Sequence, residues 1–558
     1  MRDLSMRCAL RVAGLGLIAA GLVMGQADAG CPACHEDVAK KVKASTHATV
    51  DCATCHPKHE RFPHPAGVAK PACAQCHPQV ASENAKGVHG QARARGNQAA
   101  PDCGVCHGSP HETLRTASQQ FRQAVPDTCG MCHKEVVDQY RASVHGKALM
   151  EGVRNAPLCT DCHGEHSILA HSQPASPVNA GHIRDTCAGC HGNVRLSRKF
   201  GLPSDRVLTF DASYHGLAGK SGSQSVANCA SCHGYHNILP SSDPKSTVNA
   251  KNLPATCGHC HAGAGSRFAL GPIHWVEGGK EPAGVRWVRN LYLGMIPLII
   301  GLMFVHNLAD WIRKLFRLRF VAMAGLVPRT SSPSHLSAEI RMYGAERIQH
   351  ALMVVSFAVL AWTGFALKYP DQWWARPLLA WETVFPVRAT IHRIAGAVMI
   401  GVSLAHMVTL AASRRLRGHW TEMWPRVGDA REGLVNFAWL LGLRRQKPKL
   451  SAHSYVEKAE YWAVIWGTAV MGLTGVLLWA VNYTLAWLPK SWLDVATAIH
   501  FYEAVLATLS ILVWHFYFVI FDPEVYPMDT AWLTGFSPRK RDSRHPAGPK
   551  PIEHGGRP

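Results

Sequence analysis

Two regimes of hydrophobic patterning divide this chain of 558 residues. From residue 288 onward, apolar side chains gather into five runs, at residues 291–309, 351–367, 391–412, 461–481 and 495–521. A helix needs about 20 mostly apolar residues to cross a bilayer, so the pattern predicts five transmembrane helices rather than the buried helices of a soluble domain. Charge orients them. Arg313, Lys314, Arg317 and Arg319 follow the first run, Arg414, Arg415 and Arg417 the third, and Arg539, Lys540 and Arg541 the fifth. The loops after the second and fourth runs are poorer in positive charge and carry Trp373, Trp374, Trp381, Trp487 and Trp492, as interfacial belts do. The basic ends belong in the cytoplasm, which puts the C-terminus there and everything before residue 288 in the periplasm.

The other regime covers residues 30–281, which are rich in Gly, Pro, Ser and Ala and have few long apolar periods. Short helices and loops are expected, around a core too thin to stand on its own side chains. Cysteine supplies the missing mass. Eighteen of the nineteen cysteines fall into nine copies of C-x-x-C-H: Cys31 and Cys34, Cys52 and Cys55, Cys73 and Cys76, Cys103 and Cys106, Cys129 and Cys132, Cys159 and Cys162, Cys187 and Cys190, Cys229 and Cys232, Cys257 and Cys260. In this motif two thiols add to the vinyl groups of a haem and the adjacent histidine ligates the iron. Redox pairs or zinc sites do not require a histidine after every second cysteine. Nine covalent c-type haems follow, with His35, His56, His77, His107, His133, His163, His191, His233 and His261 as their attachment ligands. The remaining cysteine, Cys8, lies in a segment with Arg2, Arg7 and Arg11, an apolar run at residues 12–24 and small residues before position 30. That is the layout of a secretory signal, in agreement with haem attachment outside the inner membrane.

Thirteen further histidines lie between residues 31 and 275, enough to give every iron a sixth ligand. A two-haem module, consisting of a motif, a lone histidine, a second motif and a late histidine, recurs at residues 31–59, 73–111, 129–166 and 187–236. The lone histidines are His47, His89, His145 and His215; the last three each precede the next motif by fourteen residues and are each followed by glycine. The late ones are His59, His111, His166 and His236, and His274 follows the ninth motif. These nine are the distal candidates. His64, His171, His182 and His259 are left over, and spacing does not say which distal histidine serves which haem.

Five histidines lie in or at the edge of the second, third and fifth runs: His350, His392, His406, His500 and His515. His392 and His406 are fourteen residues apart and His500 and His515 fifteen, which is four helical turns, or roughly 21 Å, and puts each pair on nearly one face at two depths. Two non-covalent b-type haems stacked across the bilayer need this arrangement. His392 pairs with His500 near the periplasm, and His515 with either His350 or His406 near the cytoplasm. His306 reads as a packing residue, and Gly364, Gly396 and Gly475 allow close approach of helices or haem. The chain thus divides into a signal peptide (1–29), a periplasmic nine-haem domain of repeated two-haem modules (30–281), a first span with a cytoplasmic connector (282–347), an all-α dihaem membrane domain (348–525) and a basic cytoplasmic tail (526–558).

The net charge of +20 is concentrated outside the haem region, where 25 Lys or Arg stand against 19 Asp or Glu. Nine haems bring up to eighteen propionates, so these cations are counter-charge to cofactor and nucleic-acid binding is excluded.

The stretches "RIQHALMVVSFAVLAWTGF" (347–365), "IHRIAGAVMIGVSLAH" (391–406), "EKAEYWAVIWGTAVMGLTGVLLW" (457–479) and "HFYEAVLATLSILVWH" (500–515) resemble the dihaem cytochrome b subunits of formate dehydrogenase and nickel-iron hydrogenase. Joined to nine c-type motifs, the whole resembles CbcL-type inner-membrane cytochromes, which implies menaquinol oxidation. The formate dehydrogenase pattern implies His350 with His515 and His392 with His500; His406 departs from it. The wiring itself predicts a quinol:cytochrome c oxidoreductase in the bacterial inner membrane. It would draw on the menaquinone or ubiquinone pool and pass electrons through two b haems and nine c haems to periplasmic cytochromes or extracellular metal acceptors. Reverse flow onto quinone, service as an anchor for another redox subunit, and a multihaem reductase with an open iron are the alternatives. Glu503, one turn after His500, is a candidate proton acceptor.

Overall fold

The computed structural model describes residues 30–57, 64, 71–267, 273–275, 281–323, 341–382, 386–450 and 453–536. The expected signal segment, His59, most of the connector after the first span and most of the basic tail lie outside these residues. Among the described residues the structure is helical, with no β-strand. The chain forms two compact units. One comprises the residues up to Gln139 together with His145–Ala170; the other comprises Tyr140–Val144 and everything from His171. The second unit therefore holds the last three C-x-x-C-H motifs as well as all five spans.

In both units the C-x-x-C-H motifs are built on short helical turns, as at Cys52–Cys55, Cys103–His107, Cys159–His163 and Cys229–His233. A helical turn brings both cysteines to one side of the chain. Side chains start these turns: Asp51 accepts from Ala53 N at 2.9 Å, Asp102 from Val105 N at 3.1 Å and Asn228 from Ser231 N at 3.1 Å. Gly108, Gly164 and Gly234 end three of them at φ of 76°, 85° and 80°, which a side chain would resist. Glycine after a lone histidine has a different cause. A Cβ on Gly90 would stand 2.1 Å from Asn84 O, and one on Gly216 2.1 Å from Phe210 O. Only glycine lets the helices Val88–Ala94 and Tyr214–Lys220, which carry His89 and His215, close against the helices before them.

Five helices are long and apolar enough to cross a membrane: α1 (Ala283–Met323), α2 (Gly344–Lys368), α3 (Val387–Ala412), α4 (Tyr455–Trp479) and α5, which starts as Lys490–Ser510. At most 17% of the apolar window of any span is buried, so most of these side chains are left to face lipid. α2 packs on α3 and α4 on α5 as two hairpins, and α1 lies along α5. Where α1 meets α5, Val285, Val288, Tyr292, Ala498 and Tyr502 form an apolar cluster, with Trp275 packed against it.

α5 continues as two π-helical stretches, Ile511–His515 and Tyr517–Phe521. Fifteen residues of undistorted α-helix overshoot four turns by about 60°, and wider turns take part of that back between His500 and His515. A distortion of this kind leaves backbone groups without their usual partners. Asn307 of α1 supplies one, donating from Nδ2 to Val513 O at 2.6 Å. An Asn307→Leu substitution should cost about 1–3 kcal/mol by orphaning a buried carbonyl, read as a lower thermal midpoint of the detergent-solubilised protein.

Candidate functional site

The organising feature is a set of imidazole rings that face each other in pairs. In the first unit His35 stands opposite His64 with ring centroids 6.1 Å apart, His47 opposite His77 (6.4 Å), His56 opposite His111 (6.0 Å), His89 opposite His133 (6.3 Å) and His107 opposite His166 (6.1 Å). In the second unit His215 faces His261 (6.2 Å) and His233 faces His274 (6.3 Å). In the spans His350 faces His515 and His392 faces His500, both at 6.4 Å.

This spacing can be tested against a metal. A metal–imidazole bond is about 2 Å and the ring centre lies about 1 Å behind the nitrogen, so two rings on opposite sides of one ion have centroids about 6 Å apart. All nine pairs meet that distance. Among the described residues no group of three or more His, Cys, Asp or Glu forms a metal site. Each pair therefore offers two axial ligands and leaves the equatorial positions open, which suits a macrocycle and not tetrahedral zinc. In the seven pairs outside the spans, one member always comes from a C-x-x-C-H motif.

Second partners aim the rings. Thr363 Oγ1 donates to Val359 O at 2.7 Å and lies 2.7 Å from His392 Nδ1. Its one proton is committed to the carbonyl, so the hydroxyl accepts from Nδ1–H and leaves Nε2 as a free lone pair toward His500. Thr474 repeats the device on the other hairpin, donating to Val470 O (2.8 Å) beside His500 Nδ1 (2.9 Å). Thr209 repeats it outside the spans, donating to Arg206 O (2.8 Å) beside His274 Nδ1 (3.0 Å). The glycines after the two span threonines complete the seat: a Cβ on Gly364 would meet His392 Cε1, and one on Gly475 would meet His500 Cε1, both at 3.4 Å. Outside the spans burial holds His89, His107, His215, His233 and His274 below the usual histidine range, in the neutral form a metal needs.

The thiols group by module. The Cys52 thiol is hydrogen-bonded to that of Cys31, Cys103 to Cys73, Cys159 to Cys129 and Cys229 to Cys187. Each pair joins the first cysteines of the two motifs in one module. Histidine pairing runs the other way, linking successive modules: His47 and His56 of the first face His77 and His111 of the second, and His89 and His107 of the second face His133 and His166 of the third. His145, His163, His191 and His236 occupy the corresponding repeat positions in the third and fourth modules.

Several placements were not readable from spacing. His64, a leftover by sequence, is the ring opposite His35. The other leftovers take local roles: Asn179 Nδ2 donates to His171 O (2.9 Å), His182 precedes the helix Ile183–His191, and His259 Nδ1 lies 3.3 Å from Thr256 O. His406 stands opposite no histidine among the described residues. Its Nδ1 pairs with Gln349 Oε1 and its Nε2 with Tyr461 Oη, each at 2.9 Å. His306 is bonded to Tyr455 Oη (2.6 Å) and Asn307 Oδ1 (3.1 Å), a packing role. Glu503 accepts from Tyr292 Oη at 2.8 Å within the α1–α5 contact, and a Cβ on Gly467 would stand 3.5 Å from its other oxygen. A groove of about 540 Å³ runs beside His392, lined by Thr390, Arg393, Ile394, Ala397, Val398 and Trp479.

Residues 341–530 match the family model of prokaryotic cytochrome b561. That family binds haem b and works in membrane electron transfer, and its model covers α2–α5 with all four facing span histidines. The match and the five spans make this a multi-pass membrane protein with a cytochrome b-type electron-transfer domain. No curated protein and no solved structure matches the chain.

The pairings separate two kinds of substitution. His350→Ala should remove one of two b haems in a pyridine haemochrome assay. Thr474→Val should retain both but raise the midpoint potential of one, because its ligand loses the hydrogen bond that makes it a stronger donor.

Proposed function

We propose that this protein oxidises quinol in the bacterial inner membrane and delivers the electrons, through two b-type and nine c-type haems, to acceptors in the periplasm or beyond. Bound at the histidine pairs, haem supplies reversible one-electron transfer. The paired histidines would hold each such haem from both sides and leave it no open position for a small substrate, which favours conduction over reduction of nitrite or hydroxylamine. The C-x-x-C-H cysteines tether the c haems, the facing histidines fill the axial positions, and the threonine hydroxyls hold the rings in the ligating tautomer. His145 and His236 are assigned as distal ligands by repeat position, and His163 and His191 by their motifs.

The observation that carries this reading is the meeting of the ninth motif with the membrane helices. His261 Nδ1 lies 3.2 Å from Asn482 Oδ1, between α4 and α5, and Arg267 donates to Trp487 O at 3.3 Å. Lys490, which opens α5, is close enough to His215 to disfavour its protonation, after burial and His261. From Lys490 to His500 is ten residues of helix, about 15 Å along the axis. The last c site thus adjoins the end of the bundle that holds His392 and His500, as a continuous conductor requires. Arg414, Arg415 and Arg417 follow α3 at the opposite end, which supports a cytoplasmic His350–His515 site and a periplasmic His392–His500 site.

The test is an anaerobic absorbance spectrum of the detergent-purified protein before and after a menaquinol analogue, set against full dithionite reduction. Both b and c α-bands should rise with quinol. If quinol leaves both oxidised while a periplasmic donor reduces them, the flow is inward and the proposal fails.

A further inference from the structure

In α2–α5, His406 is the histidine that the haem sites leave over, and its surroundings are ordered. Gln349 donates from Nε2 to Thr409 Oγ1 (3.3 Å) and presents Oε1 to His406 Nδ1; Thr409 in turn donates to His406 O (2.8 Å). The amide so held makes Nδ1 the protonated nitrogen and leaves Nε2 as an acceptor, which Tyr461 Oη–H occupies at 2.9 Å. An imidazole placed in a span at this cost in polarity, with a fixed lone pair and no iron to bind, is equipped to receive a hydroxyl proton.

Its position agrees. Gln349 is the chain neighbour of His350, and Tyr461 is the neighbour of Glu460, whose Oε2 lies 3.4 Å from His515 Nδ1. The two partners of His406 thus flank both sides of one b-type site. On the same turns of α3, Leu404, Met407 and Val408 are 52%, 57% and 65% exposed, so His406, itself half-buried, lies where the lipid-facing surface meets the cofactor pocket. A run of aromatic rings set at steep angles to one another continues from it: Tyr461 to Trp462 (6.0 Å, 86°), Trp462 to Trp424 (5.2 Å, 59°) and Trp424 to Trp420 (5.1 Å, 74°), the last on the short helix Arg414–Glu422.

We propose that His406 Nε2 is the docking point for one hydroxyl of a quinol that enters from the lipid, displacing the Tyr461 hydroxyl, with the quinol ring against this aromatic wall. The inference rests on the quinol reading above and assigns its site. On oxidation both quinol O–H bonds break and a quinone forms. One proton goes to His406 Nε2 and the other to water at the membrane surface, and a haem b held by His350 and His515 would take the two electrons one at a time.

The test uses the full-length protein in detergent and the fluorescent quinol analogue heptyl-hydroxyquinoline N-oxide, titrated by quenching, with haem content measured in parallel. His406→Phe should keep both b haems and weaken the analogue at least tenfold. Tyr461→Phe should bind it as tightly as the parent or more so, because the competing donor is gone; a purely structural pair would be damaged equally from either side. Equal affinity in His406→Phe and the parent overturns the inference and leaves the quinol reading standing. So does a loss of affinity in Trp479→Ala alone, which moves the site to the groove beside His392. Loss of a b haem in His406→Phe makes it a ligand and overturns the inference as well. If the parent protein neither quenches the analogue nor is reduced by quinol, the functional reading falls and the inference with it.

Discussion

The structure depends on one constraint: two imidazoles must face each other across a gap about as wide as one ligated metal, with Nε2 aimed inward. Everything local serves this. Threonines on neighbouring helices hold Nδ1 at His274, His392 and His500, and the Pro110 carbonyl does so for His47 at 3.0 Å. Glycines at 90 and 216 let helices close to the distance at which the next histidine can reach its partner. Two lone pairs pointed at each other would repel, so a metal held between the rings would account for the geometry.

The same constraint explains how a segment so poor in apolar side chains holds a shape. Buried hydrophobic residues in the first unit are few, Val125, Val137, Leu149, Ala156 and Leu158 among them. Ligand pairs would supply what they cannot. The facing histidines stitch the first module to the second and the second to the third, as His89 does to His133 and His107 to His166. Ligand pairs that span 44 and 59 residues close long loops, and the chain entropy they remove from the unfolded state grows with loop length.

Hydrophobic run length carried the membrane half of the architecture. The five apolar runs correspond to five helices of spanning length. Where a residue's role depends on its neighbours, sequence was silent. His350 and His406 lie at similar depth on adjacent helices, and helical period gives the depth and face of each. Only the side chains around His406, Gln349 and Tyr461, show that its two nitrogens are already engaged. His64 was passed over because His59 sits closer to the repeat's usual spacing, and the repeat is shortest in the first module. The interlocked pairing was hidden for a related reason: a repeat displays its own positions, and nothing in it says that a ligand serves the next copy. The Thr-Gly couplets at 363–364 and 474–475 did carry a signal, since the same dipeptide precedes the end of both α2 and α4.

The two ends of the bundle are not electrostatically equivalent. His392 and His500 are each held by a neutral hydroxyl. At the other end His515 Nδ1 faces the Glu460 carboxylate at 3.4 Å, while His350 Nδ1 is buried with no hydrogen-bond partner among the described residues. A carboxylate behind a ligand pushes charge onto the imidazole and would lower the potential of a haem held there, while the unpartnered His350 Nδ1 would raise it. Under the proposed outward flow an electron would leave the His350–His515 end for His392 and His500, and the ninth motif beside Asn482 would take it next. An inside-negative membrane potential adds up to about 2.3 kcal/mol per 100 mV to movement in that direction. In the orientation proposed above, the membrane field would favour discharging quinol outward over collecting electrons from the periplasm.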